Sequence, residues 1–296
     1  MTFDGLIIVN KPEGWTSHDV VNKIRGIVGT RRVGHLGTLD PIATGVLPIM
    51  IGQVTKLAQF WEKSEKTYDA VVRFGFATTT YDREGDPTTA QTNPVLSAEI
   101  LEHCLVKFRG EIEQMPPPIC AKRVGGVRAY KLNRRSVAAE LAPVRVSIYE
   151  LSATGIEGSR ARIFVRCSSG TYVRAIAHEL GAALGYGAHL ESLIRIRSGP
   201  FRIEQSHTLE HLQLLRDEGR LEEALVSPTE LLPDFPPVFV DDMTMRQIRN
   251  GRDFNVSPFR TDSGTKHVKA IGPDGKLVAI GRIALPHVYH PVVVLN

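Results

Sequence analysis

Apolar residues in this chain recur with two different spacings, and the order of these spacings limits the possible folds. Spacings of three and four residues, typical of a helix, occur at 17–28, 97–108 and 173–184, whereas alternation typical of a strand occurs at 66–76. Helices and strands therefore follow one another in mixed order, unlike the strict alternation of a parallel α/β sheet. The pattern favours an α+β fold.

Several elements can be assigned together with their ends. We predict a buried strand at 5–9, followed by a helix that Ser17 caps and Gly29 ends. In the alternating segment 66–76, Tyr68 falls in register with the apolar residues of one strand face. We therefore expect the side chain of Tyr68 to point inward.

Four prolines between residues 227 and 237 indicate a domain boundary. We assign residues 1–230 to a larger domain and residues 238–296 to a small β domain. In the second part the pattern changes to short strands with turns, and 269–281 reads as a hairpin around Pro-Asp-Gly.

Composition places the chain among globular proteins of the cytoplasm. Its 296 residues are 42% hydrophobic and 23% charged, and no apolar run approaches the roughly 20 residues of a membrane span. The three cysteines, Cys104, Cys120 and Cys167, are odd in number and widely spaced, which favours free thiols in a reducing compartment. The N-terminus lacks the pattern of a signal peptide. We expect a cytoplasmic protein without a membrane segment.

Basic residues are concentrated in two segments of the chain. Residues 119–145 hold seven Lys or Arg against Glu140 alone, and residues 158–202 hold seven Arg against Glu179 and Glu191. Either segment could be an ordinary solvated face. Together they favour a polyanionic partner, because arginine suits bidentate contact with phosphate and stacking on bases.

Residues 34–48, GHLGTLDPIATGVLP, are suited neither to a helix nor to a strand. Three glycines and two prolines disfavour both elements, yet the apolar residues are too many for a hydrophilic surface loop. We predict a loop that holds Asp40 among apolar neighbours, with His35 five residues earlier. From the residues alone, Asp40 is either a cap that opens a turn before Pro41 or a carboxylate with a chemical role.

Familiar metal and nucleotide sites are not indicated. HELGA at 178–182 lacks the second histidine of a zinc protease motif, and the pairs His207/His211 and His287/His290 read as surface or core histidines. The Gly-rich patterns that bind phosphate are missing from the sequence. We therefore predict no metal and no cofactor.

The segment 34–48 resembles the catalytic motif of the TruB family of tRNA pseudouridine synthases, G-H-x-G-x-L-D-P-x-A-x-G-x-L-P. The resemblance continues, in family order, through LIIVNKPEGWTSHDVVNKIR, KTYDAVVRFG, GGVRAYKLNRR, SSGTYVRAIAHELG and GAHLESLIRIRSGPF. It implies a pseudouridine synthase catalytic domain over 1–230, with a mixed, mainly antiparallel sheet and flanking helices. For 238–296 the match is weaker and implies a PUA-like β-barrel that binds RNA.

This resemblance implies an isomerase that converts uridine-55 in the T-loop of tRNA to pseudouridine. The uridine is flipped out, its N1–C1′ bond breaks, the uracil turns, and C5 joins C1′. Asp40 resembles the catalytic nucleophile, Arg174 the arginine paired with it, and Tyr68 the tyrosine that stacks on the uracil and is placed to take the C5 proton. Further substrate contacts are implied for His35, Tyr172 and Leu193. Attack by Asp40 on the sugar, attack on the base and stabilisation of a sugar cation all stay open.

One segment departs from the family pattern, since Ile119 and Cys120 replace the usual Tyr-Ser pair. Contacts to RNA are therefore expected to differ there. We expect tRNA, through its T-loop and stem, as the partner of a monomer that requires no protein partner. Two alternatives are a non-catalytic RNA-binding or tRNA-folding protein that uses the same surface, and an enzyme of the same chemistry that acts on other RNA with a guide RNA.

Overall fold

The protein is described by a computed structural model at residues 3–120, 123–124, 127–128, 142–257, 261 and 264–295. Its strands are β1 Gly5–Lys11, β2 Val33–His35, β3 Ala43–Ile51, β4 Lys66–Phe74, β5 Gly110–Gln114, β6 Arg123–Val124, β7 Val127–Arg128, β8 Val144–Glu157, β9 Arg160–Cys167, β10 Ala188–Ser198, β11 Phe201–Arg202, β12 Pro237–Phe239, β13 Phe254–Asn255, β14 His267–Ile271, β15 Leu277–Leu285 and β16 Val288–Val294.

The helices of the described residues are α1 Ser17–Val28, α2 Ala98–Val106, α3 Val173–Ala183, α4 Leu209–Asp217 and α5 Asp242–Arg249. Three 3₁₀ segments occur at Gly52–Phe60, Ile203–Gln205 and Leu221–Ala224. Within this part of the chain, no helix is both long enough and apolar enough to span a bilayer.

The larger sheet follows the order β1-β3-β10-β4-β9-β8-β5, with β2 paired to β3 and β11 paired to β10. Its pairings are antiparallel except for β3 with β10. Helices α1 to α4 contribute their apolar sides to the same core cluster as one face of this sheet. The predicted α+β fold with a mixed, mainly antiparallel sheet is confirmed.

Strands β1 and β3 are buried on both of their faces. Ile7 and Leu47 belong to the core beneath the helices, whereas Leu6 and Val46 belong to a second cluster on the other side. A strand covered on both faces reads as a continuous apolar run, which explains LIIV in β1 and VLPIMI in β3.

The prediction of a loop throughout 34–48 is wrong at both ends, because residues 34 and 35 belong to β2 and the second part belongs to β3. Residues from Ala43 onward form β3, which pairs with β1 and β10, so tertiary pairing overrides the poor local propensity of Gly45 and Pro48. Gly45 has a φ of 97°, and a Cβ added there would lie 2.3 Å from the carbonyl oxygen of Arg195. Only glycine permits this close approach of β3 to β10.

The smaller sheet follows the order β12-β14-β15-β16-β13, and the hairpin predicted around Pro-Asp-Gly joins β14 to β15. Ile271, Leu277 and Ile280 of this sheet lie in the same cluster as Leu6 and Val46 of the larger one. The two sheets therefore share buried apolar surface. The domain boundary at 227–237 stays a prediction.

Two details of the predicted elements can be compared directly. Tyr68 points into the core side of the sheet, as its register predicts, and is 8% exposed. The cap of α1 is Thr16 rather than Ser17, because the hydroxyl of Thr16 accepts the amide hydrogen of Asp19. Ser17 is the first helical residue, and its side chain is buried.

Candidate active site

The loop between β2 and β3 carries Asp40 and is held from two sides. The Ser17 hydroxyl accepts the Leu39 amide at 2.8 Å and donates to the Leu39 carbonyl at 3.1 Å. On the opposite side, Arg195 of β10 donates from Nη2 to the Gly37 carbonyl at 3.0 Å and from Nη1 to the Thr38 carbonyl at 3.4 Å. The backbone next to Asp40 is thus fixed by side chains of a helix and a strand.

Lys11, at the end of β1, supports the same loop. Its ammonium donates to the carbonyls of Trp15 at 2.6 Å, Pro12 at 2.8 Å and Pro41 at 3.3 Å. Burial lowers the pKa of Lys11 to about 8, while the charge of Asp40 acts in the opposite direction. Lys11 therefore ties the residue after Asp40 to the end of β1.

Asp40 is paired with Arg174, which lies in the first turn of α3. The distance from Oδ2 of Asp40 to Nη2 of Arg174 is 2.9 Å, and the two side chains are 40% and 6% exposed. The carboxylate is thus accessible while its counter-ion is buried.

Arg174 has three further acceptors. Nη1 lies 3.1 Å from the carbonyl oxygen of Thr80 and 3.4 Å from Oδ2 of Asp82, and Nη2 donates to the carbonyl of Ile119 at 3.0 Å. Asp82 is 4% exposed and also accepts from the Thr80 hydroxyl and the Glu84 amide, at 2.5 and 3.1 Å. These contacts leave the guanidinium little freedom to move away from Asp40.

Tyr68 and Arg195 are direct neighbours across β4 and β10, and both point to the helical side of the sheet. Arg195 is 1% exposed. Burial raises the pKa of Tyr68, and the guanidinium of Arg195 acts in the opposite direction. Burial likewise lowers the pKa of Arg195, while Tyr68 raises it. The pair therefore couples a protonated phenol to a buried cation.

Tyr172 occupies the N-cap position of α3 and is held through its backbone. The buried amide of Gln114 accepts from the Tyr172 amide at 2.8 Å and donates to its carbonyl at 3.1 Å. Burial raises the pKa of the Tyr172 phenol, and the Cys120 thiol adds to the shift.

The contact of Ile119 with Arg174 uses the main chain, so it does not depend on the side chain at that position.

One open cavity of about 470 Å³ brings the predicted site residues together. Its lining includes His35, Asp40, Tyr68, Tyr172, Arg174 and Leu193. Lys66 and Arg195 also line it, together with the carboxylates of Asp40 and Glu62. The volume lies in the range of small-molecule sites in proteins.

Comparisons with known proteins agree over nearly the whole chain. The model of the TruB family pseudouridylate synthase (N terminal domain) matches residues 25–173, and that of the tRNA pseudouridylate synthase B C-terminal domain matches residues 174–232. The tRNA pseudouridine synthase B of Solibacter usitatus (strain Ellin6076) is 56% identical, covering 99% of this chain and 100% of that protein. The chain belongs to the TruB family.

More distant relatives show the same fold. The tRNA pseudouridine synthase B of Geobacillus kaustophilus (strain HTA426) is 40% identical over 86% of this chain and 92% of its own. Among solved structures, a chain from the crystal structure of a Cbf5-Nop10-Gar1 complex matches with a TM-score of 0.70 and 26% identity, over 99% of this chain and 84% of that one. This TruB family member is accordingly an isomerase that forms pseudouridine in tRNA.

Supporting residues of the TruB site were missed by the sequence analysis. The Asp40 loop or Arg174 is held by Lys11, Ser17, Asp82 and Arg195. For Arg195 a signal was present, because its register in β10 puts it on the same face as Leu193. Ser17 and Asp82 carry no comparable signal, since their roles depend on contacts between distant parts of the chain.

The second arginine segment is largely neutralised by carboxylates. Four of its seven arginines form ion pairs: Arg160 with Glu191, Arg162 with Asp69, Arg166 with Glu65 and Glu150, and Arg174 with Asp40 and Asp82. Arg195 is buried. Among the described residues, the arginines of this segment left to contact phosphate are the exposed Arg197 and Arg202.

The first basic segment lies mostly outside the described residues, including Arg134 and Arg135. Its contribution to RNA binding stays a prediction.

Among the residues that the structure describes, no group of three or more His, Cys, Asp or Glu is arranged to hold a metal ion.

Proposed function

We propose that this enzyme isomerises uridine-55 in the T-loop of tRNA, with Asp40 as the nucleophile. The observation that carries the proposal is the accessible Asp40 carboxylate in the lining of the cavity, 2.9 Å from a buried arginine. A flipped uridine in this cavity would meet both this carboxylate and Tyr68. Both attack at the ribose C1′ and attack on the uracil ring require an accessible carboxylate.

Each residue of the cavity has a step in this reaction. Asp40 bonds covalently to the nucleoside and later leaves, so that the N1–C1′ bond is exchanged for a C5–C1′ bond. The C5 proton is removed and N1 gains a proton, which makes the reaction a net isomerisation. Tyr68 stacks on the uracil and takes the C5 proton, and the cation of Arg195 offsets part of the rise that burial causes in the pKa of the Tyr68 phenol.

The remaining predicted residues are proposed to hold the substrate. His35 fills the space left by the flipped base, while Tyr172 and Leu193 contact the uridine. The small sheet of residues 238–296 is proposed to be a PUA-like RNA-binding domain. We further propose that the enzyme works on free tRNA in the cytoplasm, as a monomer and without cofactor, metal or protein partner.

The test is the Asp40→Asn variant with an unmodified tRNA transcript. We expect normal tRNA binding and no pseudouridine, because an amide of the same shape cannot act as a nucleophile. A matched control is Asp69→Asn, since Asp69 pairs with Arg162 on the opposite face of β4. Mapping the product shows where it forms. Full turnover by Asp40→Asn would refute the assignment of Asp40, and pseudouridine at another position would refute the assignment of uridine-55.

The binding measurement separates this proposal from the non-catalytic alternative. A protein that only binds or folds tRNA would form no pseudouridine even as wild type. Its Asp40→Asn variant would still bind or fold tRNA. The 2.9 Å pair of Asp40 with a buried arginine supports the enzyme, since a binding surface has no need of an accessible carboxylate held at such a cation.

A further inference from the structure

The turn formed by residues 78–82 has an unusual backbone. Tyr81 has a φ of 65°, in the left-handed region that side chains other than glycine rarely adopt. Among the described residues outside glycine, only Leu232 and His287 share this property. A bulky residue in this conformation persists only where its surroundings stabilise it.

The conformation of Tyr81 has a direct consequence at Arg174. The carbonyl of Thr80 and the carboxylate of Asp82, which flank Tyr81, both meet the same nitrogen, Nη1 of Arg174. Tyr81 lies between these two acceptors in the chain, so its backbone conformation sets how they are placed relative to each other. A change in the backbone of Tyr81 would therefore move at least one acceptor relative to Nη1.

The ring of Tyr81 is stacked on His178. The ring centroids are 3.7 Å apart and the planes are inclined by 9°. His178 follows Arg174 by four residues on α3, so both side chains lie on the same side of the helix, one turn apart. One helix thus supplies the cation of the site and the surface on which the turn rests.

We propose that the stacked Tyr81 and His178 are positioning residues that set the Thr80–Asp82 turn on Arg174 and so fix the counter-ion of Asp40. The stack holds the left-handed turn at a constant height along α3. Without it, the two acceptors on Nη1 separate, and Arg174 no longer holds Asp40 in the reactive position. The kinetic part of this inference rests on the proposed function.

The central experiment replaces Tyr81 by glycine. Glycine accepts a φ of 65° without strain, so Tyr81→Gly removes the stack while it keeps the preferred backbone of the turn. We expect a single-turnover rate about tenfold lower, with the Kd for tRNA unchanged within twofold. Tyr81→Phe and His178→Phe keep two stacked rings and should restore the rate.

A matched control is His287→Gly, which relieves the same backbone conformation in the turn between β15 and β16. It shows what this relief alone does to Tm. The double variant Tyr81→Gly with His178→Ala should lose no more than either single variant, because both remove the same contact.

Several outcomes overturn the proposal. A wild-type rate in Tyr81→Gly would show that the stack positions nothing. An equal loss in Tyr81→Phe would assign the effect to the hydroxyl. If Tyr81→Gly lowers Tm much more than His287→Gly does, and the rate falls with it, the role of the stack would be purely structural.

The proposal can also be tested without activity. A crystal structure of Tyr81→Gly should show Arg174 displaced beyond hydrogen-bond distance from Asp40, and an unchanged pair would refute the inference. If wild type forms no pseudouridine in tRNA, the proposed function fails, and this structural measurement still decides the role of the stack.

Discussion

Arg195 offers the sharpest test of how the Asp40 loop is held. Its guanidinium is buried and donates from three nitrogens: Nε to Val46 at 2.7 Å, Nη2 to Gly37 at 3.0 Å and Nη1 to Thr38 at 3.4 Å. In Arg195→Lys, the ammonium is a single donor centre that lies near the position of the guanidinium carbon. This ammonium cannot donate to three carbonyls that lie around a planar guanidinium, so we expect two of the hydrogen bonds to be lost.

The expected cost follows from these bonds. A hydrogen bond from a charged donor contributes about 1.5–3 kcal/mol, so the loss of two amounts to about 3 kcal/mol or more. This is a large part of the about 5–15 kcal/mol that stabilises a domain, yet it leaves the variant folded. Because any two of the three bonds include at least one to residue 37 or 38, the single-turnover rate should also fall, with little change in tRNA affinity.

Urea unfolding and single-turnover kinetics check the two parts of this prediction. The matched control is Arg197→Lys, two residues further along β10, where an exposed guanidinium donates to Gly199 at 2.8 Å. We expect it to change stability by less than about 0.5 kcal/mol. If Arg195→Lys also unfolds within about 1 kcal/mol of wild type and keeps its rate, then Ser17 and Lys11 suffice to hold the loop.

Three further predictions concern pH, salt and the small sheet. Burial lowers the pKa of Lys66 from 10.5 to about 8, so above pH 8 the unfolded chain binds a proton that the native protein has released, and stability rises with pH. Lys66→Met should reduce that rise over pH 8–9, by at most about 1.4 kcal/mol per pH unit. Urea unfolding measures the free energy of unfolding at each pH, and an equal dependence on pH in wild type and variant would contradict this. Replacing Arg134 and Arg135 by alanine should lower the slope of log binding constant against log salt concentration, for tRNA, by about 0.7–0.9 per lost contact. The control replaces Arg160 and Arg162 together, which should change this slope less because both are already ion-paired. Equal effects of the two double variants would show that net charge alone matters. Removing residues 238–296 should weaken tRNA binding by one or two powers of ten, and each power of ten corresponds to about 1.4 kcal/mol. It should also lower the unfolding free energy by several kcal/mol, because apolar residues of the shared cluster become exposed to water. An unchanged Tm would contradict the shared core.

The fold was predictable where local pattern and tertiary environment agree. Tyr68 lies inward in β4 because alternation alone decides its face. Residues 43–48 of β3 were not predictable, because Gly45 and Pro48 are poor strand residues, and the strand conformation there is decided by pairing with β1 and β10. Local propensity cannot report a partner strand that is distant in the sequence.

The site divides in the same way. The motifs that hold Asp40 and Arg174 could be recognised as a resemblance, and the structure places these two side chains in contact. The groups that fix them could not be recognised, because Asp82 reaches Arg174 from a polar loop 92 residues earlier in the chain. Such second contacts depend on the path of the backbone, which residue types and spacing do not reveal.

The covering of β3 on both faces has a consequence for its dynamics. Along one edge β3 is paired to β1, and along the other it is paired to β10 at residues 43–45 and to β2 at residues 49–51. Amide hydrogens enclosed in this way exchange with solvent only when the whole molecule unfolds. Asp40 lies three residues before this enclosed strand, on backbone that is itself bonded to Ser17 and Arg195. The Asp40 carboxylate therefore faces water from a backbone that is anchored to the core.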